Sequence, residues 1–401
     1  MSGAPDNSPP AARWLRIGRL IDGRGGPPRQ NVVMEIRDGR ITALQPDHPP
    51  AAEVRDLSRA TVLPALMDAH VHLAFSGSED PEIRAAQLQA SPDQVVATAQ
   101  HHLGAHRKWG ISAVRDGGDR SAAILHSKMD GRLATEPSVT VLTPGWAWHA
   151  AGRYGAMIGR HPAPGQSLAE AITPHLATID HLKILQSGIN SLKRCGPVGG
   201  PQFSASDLQM AVRTAHAAGK PVMVHANGDL PVRLALEAGC DSIEHGYFMG
   251  PDNLRRMADR SVTWVPTAVP MAALARAEGL TQEQRDVARR TLDHQLDQIR
   301  QAHDLGVFIA LGTDAGSHGV HHGQAVREEL LLLMDAGLSL PAAIRCATRN
   351  AARLMGLQNR GSLVSGRRAD FIVLPGPPER LLENLNGIFD IHLNGQPCQP
   401  V

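Results

Sequence analysis

Cysteine is rare in this sequence: Cys195, Cys240, Cys346 and Cys398 are its only four in 401 residues, with no CxxC and no close pair. So few and so scattered thiols argue against a disulfide framework. Charge of one sign is lacking too, since 40 Lys and Arg against 39 Asp and Glu leave a formal net charge of +1. That balance gives no electrostatic footprint for nucleic acid or for an anionic membrane. No apolar run approaches the roughly 20 residues that a membrane span requires. The stretch Met1 to Arg13 is rich in Pro, Ala and Ser and lacks an apolar core, so it does not read as a signal peptide. A soluble, cytoplasmic protein is expected.

What is present is the balance of a folded chain, with 42% hydrophobic and 20% charged residues. The length exceeds one ordinary domain and suits a barrel with a small appendage. From Ile111 onward, short β-rich runs alternate with stretches of helical length. Ile111–Asp116, Ser138–Thr143, His181–Gln186, Pro221–His225, Ser242–His245, Thr263–Val269 and Val307–Gly312 read as strands. Each is apolar on both faces, as strands of a covered parallel sheet should be. Helices are expected over Ala205–Ala218, Gln282–Leu305, Gln324–Ala336 and Pro341–Met355, with Gly219, Gly306 and Gly337 at stops. Adding Thr61–Asp68 as the first strand gives eight, which a closed (β/α)8 TIM barrel accounts for better than an open doubly wound sheet.

The ends differ. Val32–Ile36 and Ile41–Leu44 flank the turn signal Asp38-Gly39; Asp370–Leu374 and Gly387–Leu393 precede Asn394-Gly395. The expectation is an α/β protein: a barrel over residues 61–358 and a small β-sandwich domain built from 1–60 and 359–401.

Histidine, at 20 residues, stands out in the composition. Strand 1 ends in His70-Val71-His72, and alternation points both imidazoles the same way. Strand 4 contributes Lys183, strand 5 His225, strand 6 His245 and strand 8 Asp314. All fall at the C-terminal strand ends, where barrels of this kind hold their active sites. Four imidazoles and a carboxylate suit Zn²⁺ or a similar ion. An ammonium among them makes sense only if its charge is removed, and reaction with CO2 does so by forming an anionic carbamate able to bridge two cations. A lone HxH is weak, a strand-end Lys or Asp is normally a solvated cap, and a His in an apolar strand is usually core; the joint pattern carries the signal.

These residues resemble the amidohydrolase superfamily, and within it the prolidase-like and imidazolonepropionase-like amide hydrolases. The likeness runs through Val62–His72, His181–Ile184, Pro201–Ser204, Val224–Ala226, Ser242–Gly246, Gly312–Gly316, Ala347–Ala352 and Gly361–Val373. The resemblance implies two divalent ions, with His70, His72 and Asp314 on the more buried one, His225 and His245 on the more exposed one, and N6-carboxylated Lys183 bridging them. It implies a shared hydroxide as nucleophile, Asp314 as proton shuttle, and His149 contacting the substrate carbonyl. Pro64-Ala65 stands where the family usually has Pro-Gly. Asn227 stands where dipeptide-cleaving members often have a Tyr that meets the substrate carboxylate, so Arg153, Tyr154 or Arg160 is a candidate replacement.

Aromatics total only 3%, yet Trp146, Trp148 and Tyr154 share one loop after a strand, and Phe203 and Tyr247 follow two others. Trp148, His149, Arg153, Tyr154 and Asn227 are therefore the expected substrate contacts, in a pocket for an aromatic or carboxylate-bearing amide-type small molecule. His318, His321 and His322 read as a flexible His-rich loop. The expected reaction is hydrolysis of a C–N bond in an amide, peptide, urea or carbamate, by a homo-oligomer. The competing readings are a deaminase or phosphotriesterase-like hydrolase, against which Lys183 and the terminal β signature respectively count, and a catalytically silent scaffold subunit, which should have lost ligands.

Overall fold

The computed structural model describes residues 12–46, 54–133, 139–196 and 199–398. Residues 1–11 of the N-terminal stretch and Ser138, the expected start of the third strand, lie outside them. In chain order the strands are β1 (Arg13–Leu20), β2 (Arg29–Arg37), β3 (Arg40–Pro46), β4 (Val54–Pro64), β5 (Leu66–Val71), β6 (Ile111–Asp116), β7 (Thr140–Leu142), β8 (Ala147–Trp148), β9 (Gly159–Arg160), β10 (Leu182–Leu185), β11 (Val222–Ala226), β12 (Ser242–His245), β13 (Thr263–Val265), β14 (Phe371–Pro375), β15 (Asp390–Leu393) and β16 (Gln396–Cys398).

Strands from both ends of the chain form one sheet in the order β16-β15-β14-β4-β1-β2-β3. Its two tight hairpins carry the expected turn residues: Asp38 and Gly39 have φ of 49° and 69°, Asn394 and Gly395 of 53° and 72°. Successive positive φ values are what a type I′ turn needs, and Asn, Asp and Gly tolerate them best. Instead of the expected sandwich of separate sheets, hydrogen bonding is continuous through a single sheet. It folds back on itself, Ile41 N donating to Arg367 O (2.9 Å) and Ala369 N to Gly39 O (2.8 Å). Leu15, Ile17, Met34, Val62 and Phe371 fill the core so enclosed.

The remaining strands pair in parallel, as β5-β6-β7 and as β13-β12-β11-β10-β8-β9. Thr61–Asp68, expected as one strand, is two. Thr61–Pro64 ends β4 and pairs with β14, whereas β5 begins at Leu66 and pairs with β6. Val307–Gly312 forms bridges rather than a ladder. On one side Trp264 N donates to Phe308 O (2.7 Å) and Ala310 N to Trp264 O (2.9 Å); on the other Ala69 N donates to Leu311 O (2.9 Å) and Asp314 N to His70 O (2.7 Å). The segment thus bonds to both β13 and β5. Gly312 permits this approach, since a Cβ there would sit 2.4 Å from Val265 Cγ1 and 2.8 Å from His70 Cβ.

Helices cover Ala205–Ala217, Gln282–Asp304 and Ala325–Asp335, while the expected helix 341–355 is broken by a π-turn at Cys346–Asn350. The second of these starts in a capping box between Thr281 and Gln284. Among the described residues no helix is long and apolar enough to cross a membrane.

Candidate metal centre

The side chain of His70 leaves β5 fully buried, and its Nδ1 lies 2.7 Å from Glu244 Oε2 on β12. Glu244 is itself held by Arg115 Nη2 (2.7 Å) and Ser242 Oγ (2.5 Å). Burial opposes ionisation of Glu244, but the Arg115 guanidinium overcomes it and holds the acid far below its usual range. A carboxylate can only accept, so Nδ1 of His70 carries the proton and Nε2 presents its lone pair to the centre. That nitrogen lies 3.5 Å from Asp314 Oδ1 and 3.5 Å from Lys183 Nζ. Two residues on, His72 Nε2 is 3.3 Å from the same Asp314 oxygen.

In the same cavity, the rings of His225 and His245 lie 4.5 Å apart, and His245 is 4.9 Å from His70. His225 Nε2 donates to Gly188 O (3.1 Å), leaving its lone pair on Nδ1. His245 Nδ1 bonds Thr267 Oγ1 (2.7 Å). The six residues read as a set from the strand ends are therefore gathered in one place, and Lys183 points among the imidazoles rather than away.

The donor set fits a metal on its own chemistry. Burial pushes His70 to about 4 and His225 to about 3, so both are neutral lone-pair donors at neutral pH. Burial opposes ionisation of Asp314, but the imidazoles of His72, His70 and His245 hold it far below the usual carboxylate range. Its Oδ1, like His72 Nδ1, is buried with no hydrogen-bond partner among the described residues. A buried carboxylate oxygen without a donor is the atom that a cation satisfies. His70, His72 and Asp314 offer ligand atoms within 4.8 Å of one another.

The centre opens into a cavity of about 350 Å³. Tyr154 and Asn227 line it, as do Phe75, Met157, Leu192, Met271 and Leu274; Trp148, His149 and Arg153 do not. Local packing accounts for where these three side chains lie. Trp148 is buried, and with Trp146 it brackets the Arg160 guanidinium at 4.7 and 4.5 Å from the ring centres. The loop aromatics thus pack on their own cation. Arg153 donates outward to Gly200 O (3.1 Å), and His149 Nδ1 donates to Ala150 O (2.9 Å).

His322, expected in a flexible loop, is buried: its ring stacks on His102 at 3.9 Å, and its Nε2 donates to Phe75 O (2.7 Å). His318 lines the cavity. Sequence reasoning missed Glu244 and Arg115, which orient His70, and Arg84, which reaches the cavity from the helix Pro81–Leu88. An acid inside an apolar strand two residues after Ser242 was the available signal for the first; nothing in the pattern marked Arg84.

A parallel-stranded α/β layer with its polar cluster at the strand ends, joined to a β sheet of both termini, is the frame of a metal-dependent hydrolase. The chain matches the Amidohydrolase family over residues 61–395 and belongs to it. The family is metal-dependent, and its members hydrolyse amide-type C–N bonds. Imidazolonepropionase of Salinispora arenicola (strain CNS-205) is 26% identical over 96% of this chain and 98% of that enzyme. Ochratoxinase of Aspergillus niger is 26% identical over 91% of this chain and 81% of its own length. A crystal structure of a Xaa-Pro dipeptidase with bound methionine superposes with a TM-score of 0.80 at 24% identity, over 97% of this chain and 100% of that one. Such neighbours have a TIM-barrel-type fold with an extra domain.

Proposed function

We propose that this chain hydrolyses the C–N bond of a small amide-type substrate, whether amide, peptide, urea or carbamate, at a centre for two divalent ions. The observation that carries the reading is the convergence of His70 Nε2, His72 Nε2, Asp314 Oδ1 and Lys183 Nζ through contacts of 3.3 to 3.5 Å. His70, His72 and Asp314 would hold one ion, His225 and His245 the other, and carboxylated Lys183 both. Burial draws Lys183 down to about 8, which favours the neutral amine. That amine adds to the carbon of CO2 and releases a proton, leaving the anionic carbamate.

Divalent ions, Zn²⁺ in this reading, supply Lewis acidity and acidify water when bound. The protein's own work is positional and protonic. Asp314 stays ionised, takes a proton from the attacking water and delivers it to the leaving nitrogen. Ser317 Oγ donates to Asp314 Oδ2 (2.8 Å) and fixes the carboxylate. The apolar wall from Phe75 to Leu274 excludes bulk water and strengthens these interactions. The same reading takes 61–358 as one (β/α)8 ring closed through 307–315, and 1–60 with 359–401 as the terminal β domain.

Metal analysis of the purified protein is expected to find about two ions per chain. Asp314→Asn should keep the fold and part of the metal while lowering turnover by about 10²- to 10⁴-fold. Turnover is read on N-acyl amino acids, dipeptides, anilides and phenylureas. Near-zero metal in the wild type, or near wild-type turnover in the variant, would refute the assignment.

A further inference from the structure

The cavity holds two polar groups whose needs the protein itself leaves unmet. Arg84 lies half-buried on the short helix Pro81–Leu88, none of whose residues is buried. The helix is therefore not held in place by packing this side chain into a core. Its Nη1 donates to Ser78 O (3.2 Å), and among the described residues no carboxylate lies within ion-pair distance of it. Of the nearby acids, Asp80 accepts from Glu82 N (2.8 Å) as the helix cap, and neither Glu79 nor Glu82 forms an ion pair with Arg84 among the described residues. Partial burial of a guanidinium without a counter-ion is unfavourable, and its fork suits a planar carboxylate. The second group is Asn190, which lines the same cavity and whose buried Oδ1 has no donor among the described residues. An N–H from a ligand would satisfy it.

Among the other polar wall residues, Tyr154 offers an uncharged hydroxyl and His318 an imidazole, whereas Tyr247 and Asn227 already have partners. Asn227 is spent on the scaffold: its Oδ1 accepts from Tyr247 N (3.0 Å) and its Nδ2 donates to Gly188 O (3.3 Å). Arg160 is committed to the tryptophan rings and Arg153 points to Gly200, so neither can serve as the cation. Phe75, Met157, Leu192, Met271 and Leu274 supply a large hydrophobic surface beside Arg84 and Asn190.

We propose that Arg84 is the carboxylate-binding, specificity-determining residue of this cavity, and that the preferred substrate is a secondary amide bearing both a bulky apolar group and a free carboxylate, as in an N-acyl amino acid or dipeptide. The proposal rests on the amide-hydrolase reading for the bond that is cleaved, but the anion subsite has its own readout. Arg84 pairs with the carboxylate and Asn190 Oδ1 accepts the amide N–H. The apolar wall takes the side chain, which leaves the scissile carbonyl toward the centre.

The test compares N-benzoyl-L-phenylalanine with N-benzoylphenethylamine, which differ only by the carboxylate, on metal-loaded wild type, Arg84→Gln and Arg84→Lys. Binding by calorimetry is measured alongside turnover. The wild type is expected to prefer the acid, and Arg84→Gln to reduce that preference by about 10- to 100-fold, chiefly through KM. Arg84→Lys keeps the charge without the fork and should recover part of the preference. Acid-selective binding that Arg84→Gln abolishes, with neither compound cleaved, supports the subsite and removes the amide-hydrolase reading. Equal handling of the two compounds by the wild type, no binding of the acid, or an undiminished preference in Arg84→Gln overturns the subsite, even where both amides are cleaved.

Discussion

Glu244 sets which nitrogen of His70 faces the centre. Its two oxygens divide the work, Oε1 receiving Arg115 and Ser242 while Oε2 takes the proton-bearing Nδ1 of His70. Arg115 is tied in turn to Ala69 O (2.8 Å), next to His70 in β5. Glu244→Gln keeps the shape, but its amide can present N–H₂ where His70 needs an acceptor. Zinc affinity, measured by competition with a chelator, is expected to fall by about 10- to 100-fold. An affinity equal to wild type would mean that packing alone orients His70. The candidate ligands were legible because they lie in or just after strands, where a polar residue interrupts an apolar run. Glu244 was not, because nothing along the chain shows that Arg115, from another strand, reaches it. The packing of Trp148 and Arg153 was not legible either: nearness in sequence to a strand end does not fix which way a loop side chain turns.

At the scale of elements, the end of β6 lies directly against His72, a candidate ligand. Gly117 N donates to Val71 O (2.7 Å), and a Cβ at Gly117 would fall 2.4 Å from His72 Cε1 and 2.9 Å from its Nδ1. The obstacle is a side-chain ring rather than backbone, so the substitution can be absorbed by moving the imidazole. Gly117→Ala is therefore expected to displace His72 and lower metal affinity by about 10-fold or more. The metal-free protein should melt within a few degrees of wild type. A large loss of metal-free stability, or an unchanged affinity, would contradict this separation. β6 itself could be read from the sequence to the residue, because Gly110 and Gly117 bound its apolar run. The division between β4 and β5 could not, since Val62 to Met67 is one apolar run, and the end of β4 and all of β5 are buried on both faces. Chain direction, not residue type, separates them.

Across the whole molecule, the two ends of the chain are held together by charge as well as by the sheet. Arg55 on β4 meets Asp390 Oδ2 on β15 at 2.5 Å, and His392 Nε2 lies 2.9 Å from the same oxygen. Arg13 on β1 donates to Gly395 O (2.6 Å). That both termini contribute strands was legible from the two turn signals, which are local. The strand order was not, because the pairing of Pro64 in β4 with Phe371 in β14 leaves no short-range mark, nor was the parallel pairing of β1 with β4, which no local turn signal announces. Burial opposes ionisation of Asp390, but His392 and Arg55 together hold its carboxyl below the ordinary value. A carboxyl with a depressed folded pKa binds protons more readily in the unfolded chain. Its stabilising contribution is therefore complete above the unfolded value, about 4, and is lost as pH falls through the lower folded one. Asp390→Asn removes that contribution. The partly exposed site limits its size, so at pH 7 the melting temperature of the metal-free variant should lie about 1 to 3 °C below wild type. The gap should narrow as pH falls below about 4 and Asp390 of the wild type protonates. A gap of constant size over that range would assign Asp390 to packing, and the junction of the two termini would then owe little to charge.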